Sequence, residues 1–509
     1  MSKESIGSRF SVTLVVNLFR ALINFSAGLA LARGLGPEDF GRLTFLIGTF
    51  LALRHLIDLG SSNAFFTFVS QRLRHRRFYT YYFGWLAVQA LAVMLVIGVI
   101  FPDQWLALIW EGEDRGLLLL AFAATFLQNR TWQTAVQIAE SQRLTHRIQF
   151  LNLLVAAVHL MMVGGLWATG TLTVERLFQF VLGEYAIALL VSSRVLKLSF
   201  AGGKPDGPHS TLKEFRSYCG PLVPLAVVGF MYEFADRWLL QHHGGATQQA
   251  YYAVGAQFAA VSLLATTSMI KIFWKEIAEA HERKDRDRTA WLYRRTHRVF
   301  FMVTVSGAGF LIPWAGEIVE VLLGPAFVPG ATTLAIMFLY PAMQTVGQIN
   351  GTVLYATEQN RAQAIIGVAF MLSSVAVTYF VLAAPSAIIP GLGLGSAGLA
   401  VKMVGMSILQ VMALVWWTAR VNEWRVDWAQ PAVALALVLI AGFLSKWVVE
   451  LAGFGVFPAP LLPIFAGAAY LLQLTLGVLL MPWLIDCTRE DFTKLMSLIL
   501  GRWHGEEKP

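Results

Sequence analysis

FSVTLVVNLFRALINFSAGLALARGLGPEDFGRLTFLIGTFLALRHLIDLGSSNAFFTFVS, residues 10–70, holds two apolar segments joined by a short turn. Each is long enough to cross a bilayer core, for which about 20 helical residues suffice. Yet each carries polar groups in its middle: Asn17, Arg20 and Asn24 in the first, Arg54, His55 and Asp58 in the second. A guanidinium at the bilayer centre costs roughly 2.5–3.5 kcal/mol on insertion scales, so such a residue normally faces a bundle interior or a water-filled cavity. The stretch therefore predicts a helical membrane protein whose first two spans face a polar cavity.

The rest of the chain agrees with that class. Of its 509 residues, 56% are hydrophobic and 14% charged, and the mean hydropathy is +0.60; soluble domains carry about 25% charged residues. The first apolar run is too long for a leader and no small-residue cleavage site follows it, so no cleavable signal peptide is expected. Cys219 and Cys487 are the only cysteines and neither has a metal-type spacing, which supports no disulfide or zinc framework. No metal ligand set and no catalytic residue is predicted, and no P-loop points to ATP hydrolysis.

Fourteen candidate spans can be counted, near 10–33, 43–69, 79–101, 116–139, 148–169, 176–198, 217–240, 250–273, 298–322, 329–356, 362–384, 393–419, 429–450 and 459–485. Every second connection is basic, from Arg72, Arg74, Arg76 and Arg77 through the cluster around Arg283 to Arg420 and Arg425. The alternate connections are neutral or acidic, with Glu111, Glu113 and Asp114 in one and Glu317 and Glu320 in another. By the positive-inside rule both termini are expected in the cytoplasm, so most of the net charge of +8 reads as topology and not as nucleic-acid binding. The 274–298 connection is expected to be a surface helix with Glu279 and Arg283 at i,i+4 spacing. Beyond the last span, Phe492, Leu495, Met496, Ile499 and Trp503 share one helical face, as in a helix lying on the cytoplasmic leaflet.

The chain also repeats itself. Residues 138–157, IAESQRLTHRIQFLNLLVAA, resemble 355–374, YATEQNRAQAIIGVAFMLSS, at an offset of 217. A weaker match sets the stretch from Gly36 against that from Gly245, offset by about 209. Two similar offsets imply that spans 1–6 and 7–12 are copies, and transporter folds are commonly duplicated. Because each copy has an even number of spans, the copies are expected to be parallel repeats around a central cavity. The expected division is an N-lobe over 1–200, a C-lobe over 201–420, a separable pair of spans over 421–485, and a cytoplasmic tail over 486–509.

Segment 28–69 resembles the opening of bacterial polysaccharide exporters, the oligosaccharide flippases of the multidrug/oligosaccharidyl-lipid/polysaccharide superfamily. Their first turn typically reads ARxLGPxxFG and their second span ends near DLG; here these are Ala32 to Gly41 and Asp58 to Gly60. Asp236-Arg237 with Tyr251–Ala253, and Asn350 to Leu354 before a turn holding Arg361, are similar to the family's second half. The resemblance covers roughly residues 1–420 and implies an all-α polytopic protein with two six-helix lobes forming a V-shaped cavity and working by alternating access. It also implies a cargo, an undecaprenyl-diphosphate-linked oligosaccharide turned from the cytoplasmic to the periplasmic leaflet of the bacterial inner membrane. Similar flippases hold the diphosphate with arginines of the first two spans, to which Arg20 and Arg54 are the matching candidates.

The residues give these candidates independent weight. Asn17, Arg20 and Asn24 lie at i, i+3 and i+7 on one face, and Arg offers a planar fork of donors that suits phosphate. The alternative for Arg20 is a carboxylate partner that locks helices together; for Arg54 that partner is Asp58, one turn on. His55 reads as a packed interhelical residue more readily than as a ligand. Span four carries Asn129, Gln133, Gln137 and Glu140 in a stripe beside Arg130, either for headgroup or sugar contact or for interhelical hydrogen bonds. Gln257, Gln344, Gln348 and Asn350 are polar enough to line a sugar path. Glu233, Asp236 and Arg237 in span seven suggest a gating ion-pair network, and Glu184 and Lys402 a mutual or cross-lobe pair. Asp58, Glu184, Glu233 and Asp236 are the candidates for coupling to H⁺ or Na⁺.

The function expected is thus a lipid-linked oligosaccharide flippase and not an enzyme, without a cofactor beyond a coupling cation. Its expected partners are the lipid-linked cargo, membrane lipids, and the polymerase or glycosyltransferases of the same pathway. A cation-coupled drug antiporter is the nearest rival, against which the basic first half argues. A membrane component of a polysaccharide synthase or polymerase is the more distant one, and the short alternate connections leave no room there for a catalytic domain.

Overall fold

The computed structural model describes residues 6–196, 207–453 and 462–486, and among them the chain is almost wholly helical, with no strand. The amphipathic segment expected from Phe492 to Trp503 lies outside the described residues. Among the described residues, ten helices are long and apolar enough to cross a membrane, fewer than the fourteen spans expected. Two of the ten run far beyond a bilayer thickness and turn at a glycine. In Ile6–Asp58 the break is at Gly36 (φ 75°, ψ 173°) and in Val223–Glu282 at Gly245 (φ 75°, ψ 178°). The segment predicted at 116–139 and the described part of that at 176–198 also fold as helices, though they are not among the ten.

The two glycine breaks are the weak 209-residue repeat made visible. Both residues occupy a region of φ and ψ essentially reserved for glycine. The stronger repeat is also structural, with a correction to its register. Arg143 and Glu358 both adopt φ near +60° and close the same pair of bonds. Arg143 N donates to Glu140 O and Leu144 N to Ala139 O; Glu358 N donates to Tyr355 O and Gln359 N to Leu354 O. These are Schellman caps, which end a helix by satisfying its last carbonyls. They equate the two turns at an offset of 215 and not the 217 of the best residue match, because backbone closure and side-chain similarity are matched separately.

Two compact units cut across chain order. The first contains the described residues up to Gln257 together with Val319–Gly330 and Val368–Lys402. The second contains Phe258–Ile318, Ala331–Gly367 and the described residues from Met403 onward.

In the first unit the early spans pack on the segment around Gly245. Gly41 lies so close to Ala246 that a Cβ would overlap its carbonyl, and Phe40 and Tyr251 both meet Phe327 edge-on. At the other ends of these helices Phe65 stacks on Phe78 and Tyr82, and Phe215 of Pro208–Cys219 stacks on Phe78. Arg72 and Arg74 there share Glu214, at 2.8 and 2.9 Å.

In the second unit Ala429–Gly453 packs between Arg286–Leu311 and Leu462–Leu480. Phe301, Val305, Val438 and Tyr470 form its buried core. Tyr470 Oη donates to Ser306 O at 2.7 Å, which satisfies a buried hydroxyl that the apolar core would otherwise penalise. The Glu279–Arg283 pair expected in the basic connection is formed.

Candidate functional site

A polar cavity of about 360 Å³ lies in the first unit, walled by four helices. From Ile6–Asp58 come Arg20, Asn24, Ala27, Gly28 and Leu31, spaced so that all fall on one helical face. Thr145–Ala168 contributes Asn152, Val155, Ala156 and His159, again one face. Gln128, Asn129, Trp132 and Gln133 enter from the π-helix Leu127–Thr131 and its flank. Such a one-residue widening of the helix turns side chains into directions that an α-helix would deny them, and it recurs at functional sites. Tyr185 of Val174–Val195 completes the wall.

The wall holds itself in place by hydrogen bonds. Trp132 Nε1 donates to Asn152 Oδ1 at 2.9 Å, and Gln128 Nε2 donates to Tyr185 Oη at 3.1 Å. His159 Nδ1 lies 2.9 Å from Glu184 Oε2, and the glutamate side chain is only 4% exposed. Glu184 thus stands behind the imidazole and fixes its ring. Its second oxygen, Oε1, is buried without a hydrogen-bond partner. Arg20 makes no ion pair among the described residues, so its charge is free to act in the cavity it lines. A guanidinium, an imidazole and several amides around one space suit an anionic ligand rich in acceptor oxygens.

Arg130 belongs to the same π-helix but faces elsewhere. It is 4% exposed, and its Nη1 lies 2.8 Å from Asp58 Oδ1. Arg130 Nη2 donates to Gln89 Oε1 at 3.0 Å, and Nη1 also contacts Ser62 Oγ. Asp58 further accepts from Ser61 Oγ and Ser62 N, both at 2.8 Å. The intrahelical neutralisation of Arg54 by Asp58 is therefore not what forms: Asp58 caps the next helix and holds Arg130. Arg54 is exposed beside a narrow recess shared with Asn129 and Arg130, and it has no carboxylate partner among the described residues. Asn17 is half-buried one turn from Arg20 but outside the cavity wall.

The expected pairing of Glu184 with Lys402 does not form either. Lys402 Nζ donates to both oxygens of Asp236, at 2.7 and 2.8 Å, and Thr378 Oγ1 donates to Asp236 Oδ1 at 2.7 Å. Nor do Glu233, Asp236 and Arg237 make one network. Glu233 Oε1 lies 3.1 Å from His55 Nε2, while the Arg237 guanidinium packs on Gly48. Asp236 and Arg237 are consecutive, so they leave the helix in different directions, and each of the three meets a different neighbour. His242 Nδ1 adds a contact to Glu111 Oε1 at 2.8 Å, and Gln257 Nε2 donates to Phe25 O at 3.0 Å. Contacts of this kind join the first two spans, and the connection bearing Glu111 and Glu113, to spans seven and eight within the unit.

Gln344 and Gln348 lie in the second unit, on the wall of a separate cavity of about 440 Å³. Asn350 points away from it, accepting from Tyr293 Oη and donating to Val346 O, each at 2.9 Å. Gln133 reaches the first cavity, whereas Gln137 Oε1 is buried and unbonded, and Glu140 accepts from Gln149. Gln128, Trp132, Asn152, His159 and Tyr185 are wall residues that sequence reasoning passed over. For His159 the signal was present: with Asn152 it sits at i,i+7 on a largely apolar span, a polar stripe like that of Asn17 and Asn24.

Residues 30–332, more than half of the chain, match the family model described as polysaccharide biosynthesis protein. No curated protein matches the sequence. Among solved structures, the lipid II flippase MurJ in an inward closed conformation is 13% identical, with 92% of this chain and 98% of that one covered at a TM-score of 0.69. An inward-facing multidrug resistance MATE transporter of the MOP superfamily is 12% identical over 81% of this chain and 99% of its own, at a TM-score of 0.57. A MOP-superfamily transporter from Pyrococcus furiosus, described as having a binding pocket of reverse polarity, is 13% identical over 82% and 96%, at a TM-score of 0.51. At these identities the likeness is one of fold. The chain is a multi-pass membrane protein with the fold of MOP-superfamily transporters, and it belongs to the polysaccharide biosynthesis protein family.

Proposed function

We propose that this protein is a flippase for an undecaprenyl-diphosphate-linked oligosaccharide, carrying it from the cytoplasmic to the periplasmic leaflet of the bacterial inner membrane by alternating access. The observation that carries the reading is the cavity lined by Arg20 and His159, whose guanidinium, imidazole and amide groups lie among helices of the bundle. A diphosphate brings two charges and several acceptor oxygens, and an unpaired guanidinium in a shielded site offers the matching donors. Membership of a polysaccharide biosynthesis family supports a sugar-bearing cargo, and the likeness to a lipid II flippase supports a lipid-linked one. The charge around the cavity argues against a cationic drug.

Both termini are assigned to the cytoplasm on the distribution of Lys and Arg. Coupling to a proton gradient is assigned to Glu184 and His159, because the buried carboxylate contacts an imidazole that itself lines the cavity. In proteoliposomes, translocation of a fluorescent undecaprenyl-diphosphate oligosaccharide should fall at least tenfold in Arg20→Ala and recover in part in Arg20→Lys. Wild-type rates in Arg20→Ala would remove the phosphate assignment. A rate unchanged when the proton gradient is collapsed, in sodium-free buffer, would remove the coupling assignment.

A further inference from the structure

The second unit contains a cavity of different chemistry. Its volume is about 440 Å³, within the range of small-ligand pockets. Gln344, Gln348, Thr352 and Tyr355 project into it from Tyr340–Ala356 at a spacing that keeps them on one face. Gln410 enters from Gly395–Asn422. Trp274 stacks on Tyr355, with ring centroids 6.0 Å apart and planes 16° from parallel. Both rings are nearly half exposed, at 44% and 46%, so the stacked pair is an open apolar surface and not a filled core. Among the described residues of the wall there is no lysine, arginine, histidine, aspartate or glutamate.

We infer that this cavity is a binding site for an uncharged, hydroxyl-rich glycan and that it discriminates against acidic sugars. An amide is at once donor and acceptor, and so is a sugar hydroxyl; a ring of amides therefore satisfies a sugar whichever way its hydroxyls turn. The C–H face of a pyranose is apolar and fits the stacked Trp274 and Tyr355. A cation would find no carboxylate among the described wall residues, and an apolar molecule would leave the amides without partners. An acidic sugar would bring a carboxylate against a wall whose described residues hold no countercharge. Selection of that kind, by an unfavourable term against the wrong ligand, needs no additional contact to the right one. The inference rests on the flippase reading for its biological setting and narrows its cargo to one whose bound sugars are neutral.

Saturation-transfer NMR on the full chain in nanodiscs tests this with two defined probes, maltotetraose and tetragalacturonate. Maltotetraose should receive saturation, and at least fivefold less of it in Trp274→Ala and in Gln348→Leu, a volume-conserving change. Tetragalacturonate should receive at least fivefold less than maltotetraose on the wild type and should gain in Gln348→Lys, which supplies the missing cation. Equal saturation of both probes, none of maltotetraose, or a maltotetraose signal indifferent to both substitutions would overturn the inference. Elution of each variant as a monodisperse peak ensures that a loss is not one of folding. Binding of inorganic pyrophosphate, measured in parallel on wild type and Arg20→Ala, keeps the two readings apart. Pyrophosphate binding that ignores Arg20 undermines the phosphate site alone, while the maltotetraose results bear on the glycan site alone.

Discussion

Arg20 and Arg130 are the same residue type, each on a membrane-crossing segment, with opposite fates. Arg130 is tied to Asp58 in a buried pair, and removing one partner of such a pair typically costs about 3–5 kcal/mol because the other charge is left uncompensated. Asp58→Asn should therefore lower the thermal unfolding temperature in detergent markedly, and adding Arg130→Met should restore much of the loss. An unchanged unfolding temperature in the single variant would show that the pair is not a stabilising tie. Arg20 has no such partner, and Arg20→Ala should leave unfolding nearly unaltered while translocation falls. His159→Asn keeps a polar side chain in the cavity but loses the imidazole that Glu184 holds. It should lower translocation by about tenfold through the loss of hydrogen bonds to the ligand worth roughly 1–2 kcal/mol, with less effect on unfolding. The polar face of Arg20 was legible from spacing along one helix. The partner of Arg130 was not, since it comes from the end of a different span.

At the scale of elements, two glycines and two turns carry the duplication. Gly36 and Gly245 share a backbone conformation closed to other residues, and a forced side chain there costs of order 1–3 kcal/mol. Gly36→Ala and Gly245→Ala should each destabilise the protein by about that amount, read as a shift in chemical-denaturation midpoint; a neutral effect at both would mean that the breaks are not obligatory. The same sequence comparison aligned the basic turns two residues out of step with their hydrogen bonds. A Schellman cap requires only a left-handed residue at the right place after the helix, so Arg143 and Glu358 can correspond with no likeness of side chain. The π-helix at Leu127–Thr131 left no such mark, because its register shift is a property of the backbone under packing.

The whole molecule is organised by compact units that do not follow chain halves. Val319–Gly330 and Val368–Lys402 cluster with the early spans in one unit. Orientation, by contrast, is written in the connections. In a background with Cys219→Ala and Cys487→Ala, a membrane-impermeant maleimide should label Glu320→Cys in intact spheroplasts and Arg286→Cys only after lysis. Both positions lie at exposed ends of helices. Labelling of both from outside, or the reverse order, would overturn the cytoplasmic assignment of the basic connections.

The sequence alone determined the helical membrane class, the duplication, the family, and the polar faces of the first span and of the one bearing Gln344 and Gln348. All of these are local or periodic properties, visible at spacings of three, four and seven residues or as repeated words. Only the tertiary structure decided which charge meets which: Asp58 with Arg130, Glu184 with His159, Asp236 with Lys402. Those partners lie far apart along the chain, and their choice depends on how helices are turned and stacked. That is a three-dimensional outcome of packing that no single helical period encodes.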